Sequence, residues 1–255
     1  MRFDPRRPAP ITFALTLALL SAAAAPAAFA GEPKHYPSRQ VQDPAVPVVV
    51  APRPEFRVRL GIYQPTGDGG TFWQQEQDAF TGSVDDLEDL IAAMDFVLPL
   101  NRWSGVLFTL AYYDASERRV DARYVDEFGN DIPFQSDLEM IPLTAAFMVY
   151  LTPPGSRVRP YFAVGGGLYW WEYAEGGDFV ADGEEIVTTY SIDDGVDFGY
   201  FGAAGLSFAI APAWSLLLEG RWTEVSLDVG GDFAPYGGAL DVSGWEATAG
   251  FSWTF

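Results

Sequence analysis

The fold is decided by the last stretch of the sequence, Ser243-Gly244-Trp245-Glu246-Ala247-Thr248-Ala249-Gly250-Phe251-Ser252-Trp253-Thr254-Phe255. From Trp245 onward the odd positions are apolar, and the even positions are polar or small. A period of two is the repeat of a β-strand whose two faces meet different surroundings. The stretch therefore predicts a strand with one apolar face and one polar face.

Seven earlier segments alternate in the same way, which gives eight predicted strands. They are Phe56–Tyr63, Asp89–Leu98, Val106–Tyr113, Ile141–Leu151, Val158–Trp171, Phe198–Ile210, Trp214–Thr223 and Gly244–Phe255. The connections alternate between long and short along the chain, so that short turns gather at one end and long loops at the other. The sequence predicts an all-β fold over residues 55–255, an eight-stranded antiparallel up-and-down transmembrane β-barrel.

Large aromatic residues fall at both ends of the predicted strands. Those near the short turns are Trp103, Trp214, Trp253 and Phe255, and those near the long loops are Trp170, Trp222 and Trp245. Tryptophan is enriched where a membrane meets water, so one strand register produces two aromatic girdles. We expect lipid to surround the barrel between them.

The first 30 residues have the three-part layout of a secretory signal peptide. Arg2, Arg6 and Arg7 precede an apolar run, and Ala28-Phe29-Ala30 offers a cleavage site. A retained anchor would need about 20 unbroken spanning residues, and Pro26 interrupts this run. Residues 31–54 are rich in proline and predict a periplasmic tether. A strand added to a partner by residues 46–51 is the alternative for that segment.

The charge balance excludes one class of partner. The net charge is −20, and removing residues 1–30, with three Arg and one Asp, makes it two units more negative. An acidic surface repels nucleic acid. The sequence has no cysteine, which excludes a lipidated cysteine and any disulfide. Export together with alternating strands predicts the cell outer membrane as the location.

The eight amphipathic strands, the loop asymmetry and the terminal Phe255 resemble those of small eight-stranded outer-membrane barrels. The sequence is similar in this respect to the OmpW-like proteins and to the barrel half of the OmpA-like proteins. The resemblance implies assembly by the general barrel-insertion machinery, which reads the C-terminal strand, and it implies periplasmic termini. No residue motif ties the chain to one subfamily.

Catalytic chemistry is not expected. Some barrels of this class are lipid-modifying enzymes that depend on a histidine, but the only histidine, His35, lies in the tether. A general base must lie within hydrogen-bond reach of its nucleophile or water. Gly165-Gly166-Gly167 lacks the following Lys and Ser/Thr of a phosphate loop, so we interpret these glycines as relief of crowding in a narrow lumen. No enzyme activity, cofactor or metal centre is predicted.

Two further features concern the loops and the fourth strand. Gly129-Asn130-Asp131 predicts that its flanking strands continue as a hairpin above the membrane. Pro142 has no amide hydrogen to give a barrel ladder, and it predicts a bulge or the edge of the membrane.

The third long segment, from Ala174 to about Gly195, is acidic and has no basic neighbour. Its candidate ligands for a divalent cation are Asp182, Glu184, Glu185, Asp193 and Asp194. Calcium and magnesium prefer oxygen ligands, but the spacing is not that of a calcium-binding loop. Solvation of an exposed loop is the alternative interpretation.

Charged residues of both signs point into the predicted lumen. They are Arg57, Arg59, Asp95, Arg159, Glu219, Arg221 and Glu246. An eight-stranded barrel is just wide enough for side chains to fill it, and buried charges are costly unless they are paired. The sequence predicts a cross-linked, filled lumen and a structural or surface-interaction role. The alternative is a passive conduit for small hydrophobic molecules, which the OmpW-like resemblance implies.

Overall fold

The computed structural model describes residues 52–67, 70–77, 79–181, 185–233 and 238–255. The predicted signal peptide, all but the last three residues of the tether, His35, Asp182 and Glu184 lie outside these ranges. No helix within them has the length and apolar character needed to cross a membrane.

Eight strands form a closed antiparallel barrel, which confirms the predicted fold class. They are β1 (Glu55–Pro65), β2 (Asp89–Pro99), β3 (Ser104–Val125), β4 (Asp131–Tyr150), β5 (Val158–Ala181), β6 (Glu185–Ala211), β7 (Trp214–Glu224) and β10 (Gly244–Thr254). Each pairs with its neighbours in the chain, and β1 pairs with β10 to close the ring. Between β7 and β10, β8 (Ser226–Val229) and β9 (Gly238–Asp241) form a separate hairpin.

The barrel has two unlike ends. Short connections join β2 to β3, β4 to β5 and β6 to β7 at the turn end, where Glu55 and Thr254 also lie. The other connections lie at the loop end. There β3 to β6 are 22, 20, 24 and 27 residues long, whereas a membrane crossing takes about 9–11. These four strands therefore continue beyond the membrane as one sheet, the outer extension.

One difference from the sequence interpretation concerns the third long segment at the loop end. The predicted hairpin at Gly129 is present, because Asp126 N donates to Asn130 O and Gly129 adopts a φ of 81°. The expectation of a long loop between Ala174 and Gly195 is wrong. Regular pairing between β5 and β6 continues to Ala181 opposite Glu185.

Pro142 causes no bulge. It lies buried in β4 opposite Tyr169 of β5, and the β4–β5 register passes through it unchanged. On the β3 side, paired residues are found at Leu143 and at Met140 in one register, with a gap between them. The missing amide is therefore accommodated by a local opening of the ladder near the end of the lipid-facing face.

The loop end is filled by apolar side chains from the connections. The β1–β2 connection contains helix α1 (Gly70–Glu76) and a short 3-10 helix at Val84–Leu87. Phe72 and Trp73 of α1 are fully buried. Phe72 packs edge-on against Tyr173 of β5 and Phe233, with ring centroids 5.5 Å apart in each pair. The alternation pattern places this connection between two predicted strands and does not predict its role as a plug.

An apolar belt surrounds the barrel wall. Exposed side chains include Val58, Leu60, Phe147, Phe162, Val164, Leu218 and Phe251. From Trp245 to Phe255 the chain covers roughly 34 Å of strand, or roughly 26 Å along the barrel axis at a tilt of about 40°. That height matches the apolar band of about 25 Å on known membrane barrels.

The predicted aromatic girdles border this belt in cross-strand pairs. Trp214 stacks near Trp253 at the turn end, and Trp253 contacts Phe255. Trp222 meets Trp245 at the loop end, 4.9 Å between ring centroids. Trp103 and Trp170 are also exposed, while Trp222 is half-buried.

Candidate functional site

The polar side chains of the lumen form three clusters along the barrel axis. The turn-end cluster centres on Glu55, which is buried and accepts hydrogen bonds from four side chains. Arg57 Nη2 donates to it at 2.9 Å, the Tyr150 hydroxyl at 3.0 Å, and Arg159 Nη1 and Ser252 Oγ at 3.4 Å. The Arg159 guanidinium also lies 3.7 Å from the centre of the Tyr150 ring. This cluster closes the lumen above the turn end.

The central cluster lies one step deeper and joins two arginines to three carboxylates. Arg59 is fully buried and donates to Asp95 at 2.7 and 3.1 Å, to Glu246 at 2.7 Å and to Thr248 at 2.8 Å. Its Nη1 also lies 3.0 Å from Glu219 Oε1. The contributing strands β1, β2, β7 and β10 are neighbours in the ring. Arg59 therefore ties the seam of the barrel together from inside.

Arg221 is the second cation of the central cluster. Its Nη2 donates to Glu219 at 3.2 Å, and its Nε lies 3.7 Å from Glu246. Its guanidinium covers the ring of Phe201 at 4.2 Å. The Tyr161 hydroxyl donates to Glu219 at 2.8 Å from across the lumen. The cluster thus reaches from one wall to the other.

The loop-end cluster lies in the outer extension, beyond the lipid-facing belt. Arg119 Nη1 donates to Glu175 and to Ser136 Oγ, both at 3.2 Å. The Tyr173 hydroxyl also donates to Glu175. Burial raises the pKa of the Glu175 carboxyl, while the Tyr173 hydroxyl and Arg119 act in the opposite direction. The ion pair between Arg119 and Glu175 is therefore partly desolvated.

Arg119 also holds the plug in place. Its guanidinium lies 4.4 Å from the Trp73 ring centre and 5.3 Å from that of Phe80. Its Nε donates to the Thr81 carbonyl at 3.0 Å. Cation–π contacts and hydrogen bonds from one buried side chain therefore connect the β1–β2 connection to the wall of the outer extension.

Glycines of β6 make room for the aromatic side chains of β5 in the lumen. A Cβ on Gly205 would overlap the Tyr161 ring, and one on Gly195 would lie 2.7 Å from the Trp171 ring.

Above the central cluster the space between Tyr63, Tyr113 and Arg221 amounts to about 10 Å³, which is about the volume that one water needs. An open vestibule of about 340 Å³ remains at the turn end beside Arg159.

The structure places all seven predicted lumen charges inside the barrel but divides them between two clusters. Arg57 and Arg159 belong to the turn end, and the other five form the central cluster. Sequence reasoning missed Glu55, although it lies two and four residues before the arginines of β1 and hence on the same face. It also missed the pair of Arg119 and Glu175, because both lie outside the predicted strands.

Of the residues proposed for a cation loop, the structure describes the side chains of Asp193 and Asp194. Asp193 points inward and accepts the Gly230 amide at 2.6 Å, whereas Asp194 points outward. Successive residues of a strand face opposite sides, so these two cannot share one ion. The described residues contain no group of three or more His, Cys, Asp or Glu side chains arranged to hold a metal.

A different set of carboxylates does align. Cross-strand partners place four acidic residues side by side on the outer face, just beyond the belt, in the order Asp114, Glu139, Glu172 and Asp194. Burial and the two flanking carboxylates raise the pKa of Glu139. Like charges directly opposite one another destabilise a sheet. This carboxylate row was not predicted, because successive members are 22 to 33 residues apart in sequence and only the strand register brings them together.

Among known proteins, solved structures resemble this chain at low sequence identity. No protein-family model and no curated protein matches the sequence. The outer membrane protein OprG from Pseudomonas aeruginosa is similar with a TM-score of 0.48 and 14% identity, over 80% of this chain and 96% of that chain.

Two further solved structures resemble the chain. A major outer membrane protein from Thermus thermophilus has a TM-score of 0.44 and 12% identity, over 79% of this chain and 99% of its own. The Escherichia coli outer membrane protein W has a TM-score of 0.39 and 16% identity, over 80% and 98%. The likeness concerns the fold alone. The closed eight-stranded barrel of this chain confirms, at the level of the fold, the predicted resemblance to small eight-stranded outer-membrane barrels.

Proposed function

We propose that the protein is an integral outer-membrane barrel with a filled lumen and a structural or surface-interaction role. In this proposal the signal peptide of residues 1–30 is removed and residues 31–54 form a periplasmic tether. The turn end and both mature termini face the periplasm, and the loop end faces outside. The barrel-insertion machinery recognises the C-terminal strand, and outer-membrane lipids contact the belt.

The observation that carries the proposal is how the lumen uses its polar groups. The buried carboxylates of the central cluster face arginines, and the apolar side chains of the plug fill the loop end above them. A solute would have to separate ion pairs that the protein has already desolvated, which costs several kcal/mol. A filled barrel of this kind acts through its surface rather than through its lumen.

Planar-bilayer recordings of the purified mature protein test this proposal. We expect no steady ion conductance from the wild type. A variant lacking the plug residues Thr71–Gln75 should also stay closed, because the central cluster lies below the plug. Steady conductance of the wild type would refute the filled lumen and favour the conduit for small molecules. The boiling-dependent gel shift of each variant would verify that the barrel is folded.

A further inference from the structure

The outer extension has one open edge. In the ring, β6 lies between β5 and β7, but its pairing with β7 begins only at Tyr200 opposite Glu224. Within the described residues, no strand pairs with that side of β6 between Glu185 and Gly199. Part of this length is shielded, because Asp193 and Asp197 accept amide hydrogens from Gly230 and Asp228 beside them. The open edge is therefore Ile186–Ile192.

The opposite edge of the same sheet is covered. On the β3 side, Thr81 N donates to Val120 O and Ala122 N donates to Ala79 O, each at 2.9 Å. Phe80 forms a β-bridge with Asp121 and stacks on Phe134, 4.1 Å between ring centroids. The β1–β2 connection thus covers the β3 edge of the sheet with a short paired segment. The β6 edge has no such cover among the described residues.

The open edge has the composition of a strand that accepts a partner. It reads Ile186-Val187-Thr188-Thr189-Tyr190-Ser191-Ile192, with no charge, no glycine and no proline. Ile186, Val187 and Tyr190 are exposed. Proteins usually protect exposed edges with charged residues, proline or bulges, and none of these interrupts the segment. About 23 Å of strand can therefore pair with an added chain.

The surrounding charge selects the partner. Asp178 lies on β5 opposite Thr188, and Asp193 and Asp194 follow the open edge directly. No Lys or Arg occurs in the sequence between Arg159 and Arg221. A second copy would bring the same carboxylates together, whereas a basic chain would neutralise them. Main-chain hydrogen bonds would give such a partner affinity, and the carboxylates would favour lysine or arginine at alternate positions.

We propose that the open edge Ile186–Ile192 of β6 binds an extended, basic polypeptide strand by β-sheet addition. The inference rests on the proposed surface-interaction role and names the chemistry of its partner. It does not depend on whether the lumen conducts, so the bilayer recordings and the binding test below can fail independently.

The test uses a fluorescent nine-residue peptide in which valine alternates with lysine or threonine. Its binding to the full mature protein in neutral detergent micelles is followed by fluorescence anisotropy at low and high salt. Two further peptides carry N-methyl groups on one or the other set of alternate residues, which removes amide donors from one side only. We expect one isomer to bind like the parent and the other to lose at least about tenfold in affinity.

A pair of variants locates the binding site. Thr188→Lys adds a charge to the open edge, and Gln135→Lys adds the same charge to an exposed position of β4 inside the sheet. We expect Thr188→Lys to weaken peptide binding much more than Gln135→Lys, with gel shifts that show both barrels folded. Equal binding of all three peptides would mean attraction of charge alone and would overturn the proposal. Absence of binding by the parent peptide would overturn the proposal as well. So would the finding that the open edge pairs with a second copy of the protein, in a dimer that Thr188→Lys disrupts.

Discussion

Replacing Arg59 with methionine should test the central cluster most directly. The five charged side chains of the cluster have a net charge of −1, and the substitution makes it −2. Asp95 loses two hydrogen bonds, at 2.7 and 3.1 Å, and Glu246 loses one at 2.7 Å. Methionine fills much of the same space, so the loss is mainly electrostatic. Removing one partner from a buried ion pair costs about 3–5 kcal/mol, and we expect the free energy of unfolding to fall by that amount.

Urea unfolding in phospholipid vesicles, followed by tryptophan fluorescence, would measure the difference. Arg118→Met is the matched control, because Arg118 precedes the buried Arg119 and its side chain is exposed. This substitution should lower the free energy of unfolding by less than about 0.5 kcal/mol. Adding Asp95→Asn to Arg59→Met should recover about 1–2 kcal/mol, since the two groups are coupled. An Arg59→Met protein within about 1 kcal/mol of the wild type would refute the argument that these charges are desolvated and mutually dependent.

Three other perturbations address the plug, the carboxylate row and the orientation. Trp73→Ala should speed proteolysis within residues 66–88 by about tenfold or more while the barrel keeps its gel shift, whereas the exposed Gln75→Ala should not; equal cleavage would mean that Trp73 does not anchor the plug. Glu139→Gln should stabilise the protein by about 0.5 kcal/mol at neutral pH and reduce stabilisation by added calcium. The raised pKa of Glu139 means that wild-type stability falls as pH rises through that pKa, and a melting temperature with the same pH and calcium response in the variant would contradict this. An epitope inserted at Gly129 should be labelled on intact cells and one at Gly155 should not; the reverse pattern would invert the proposed topology.

The strands that cross the belt were predictable because lipid imposes a simple rule on them. Every second side chain must be apolar, and the outward positions follow that rule from Phe56 to Ile62 in β1 and from Trp245 to Trp253 in β10. The lumen charges were predictable for the same reason, since they occupy the remaining positions. Their grouping into two clusters was not, because it depends on the stagger between strands, which alternation leaves open.

The sequence predicted that β3 and β4 continue beyond the membrane but not that β5 and β6 join them in one sheet, and the alternation in the outer extension changes phase. In the belt, the apolar residues of β4 are outward and odd-numbered, such as Leu143 and Phe147. Beyond Pro142 the buried apolar residues are even-numbered and inward, such as Phe134 and Leu138. In the outer extension the outer face contacts water and therefore carries polar side chains. The inner face packs against the plug and therefore carries apolar side chains. A strand pattern that inverts on either side of a proline is the signal that could have revealed the extension.

The buried polar groups of the barrel and the exposed ones of the outer extension have different consequences for function. Inside the belt, side chains such as Arg59 and Glu219 bind one another, so their capacity for hydrogen bonds is used within the protein. Along Ile186–Ile192 the backbone keeps donors and acceptors that no described strand satisfies, in a segment whose side chains favour pairing. Unsatisfied capacity of this kind is what a partner can use. A second molecule would therefore form more new hydrogen bonds at the outer part of β6 than in the lumen.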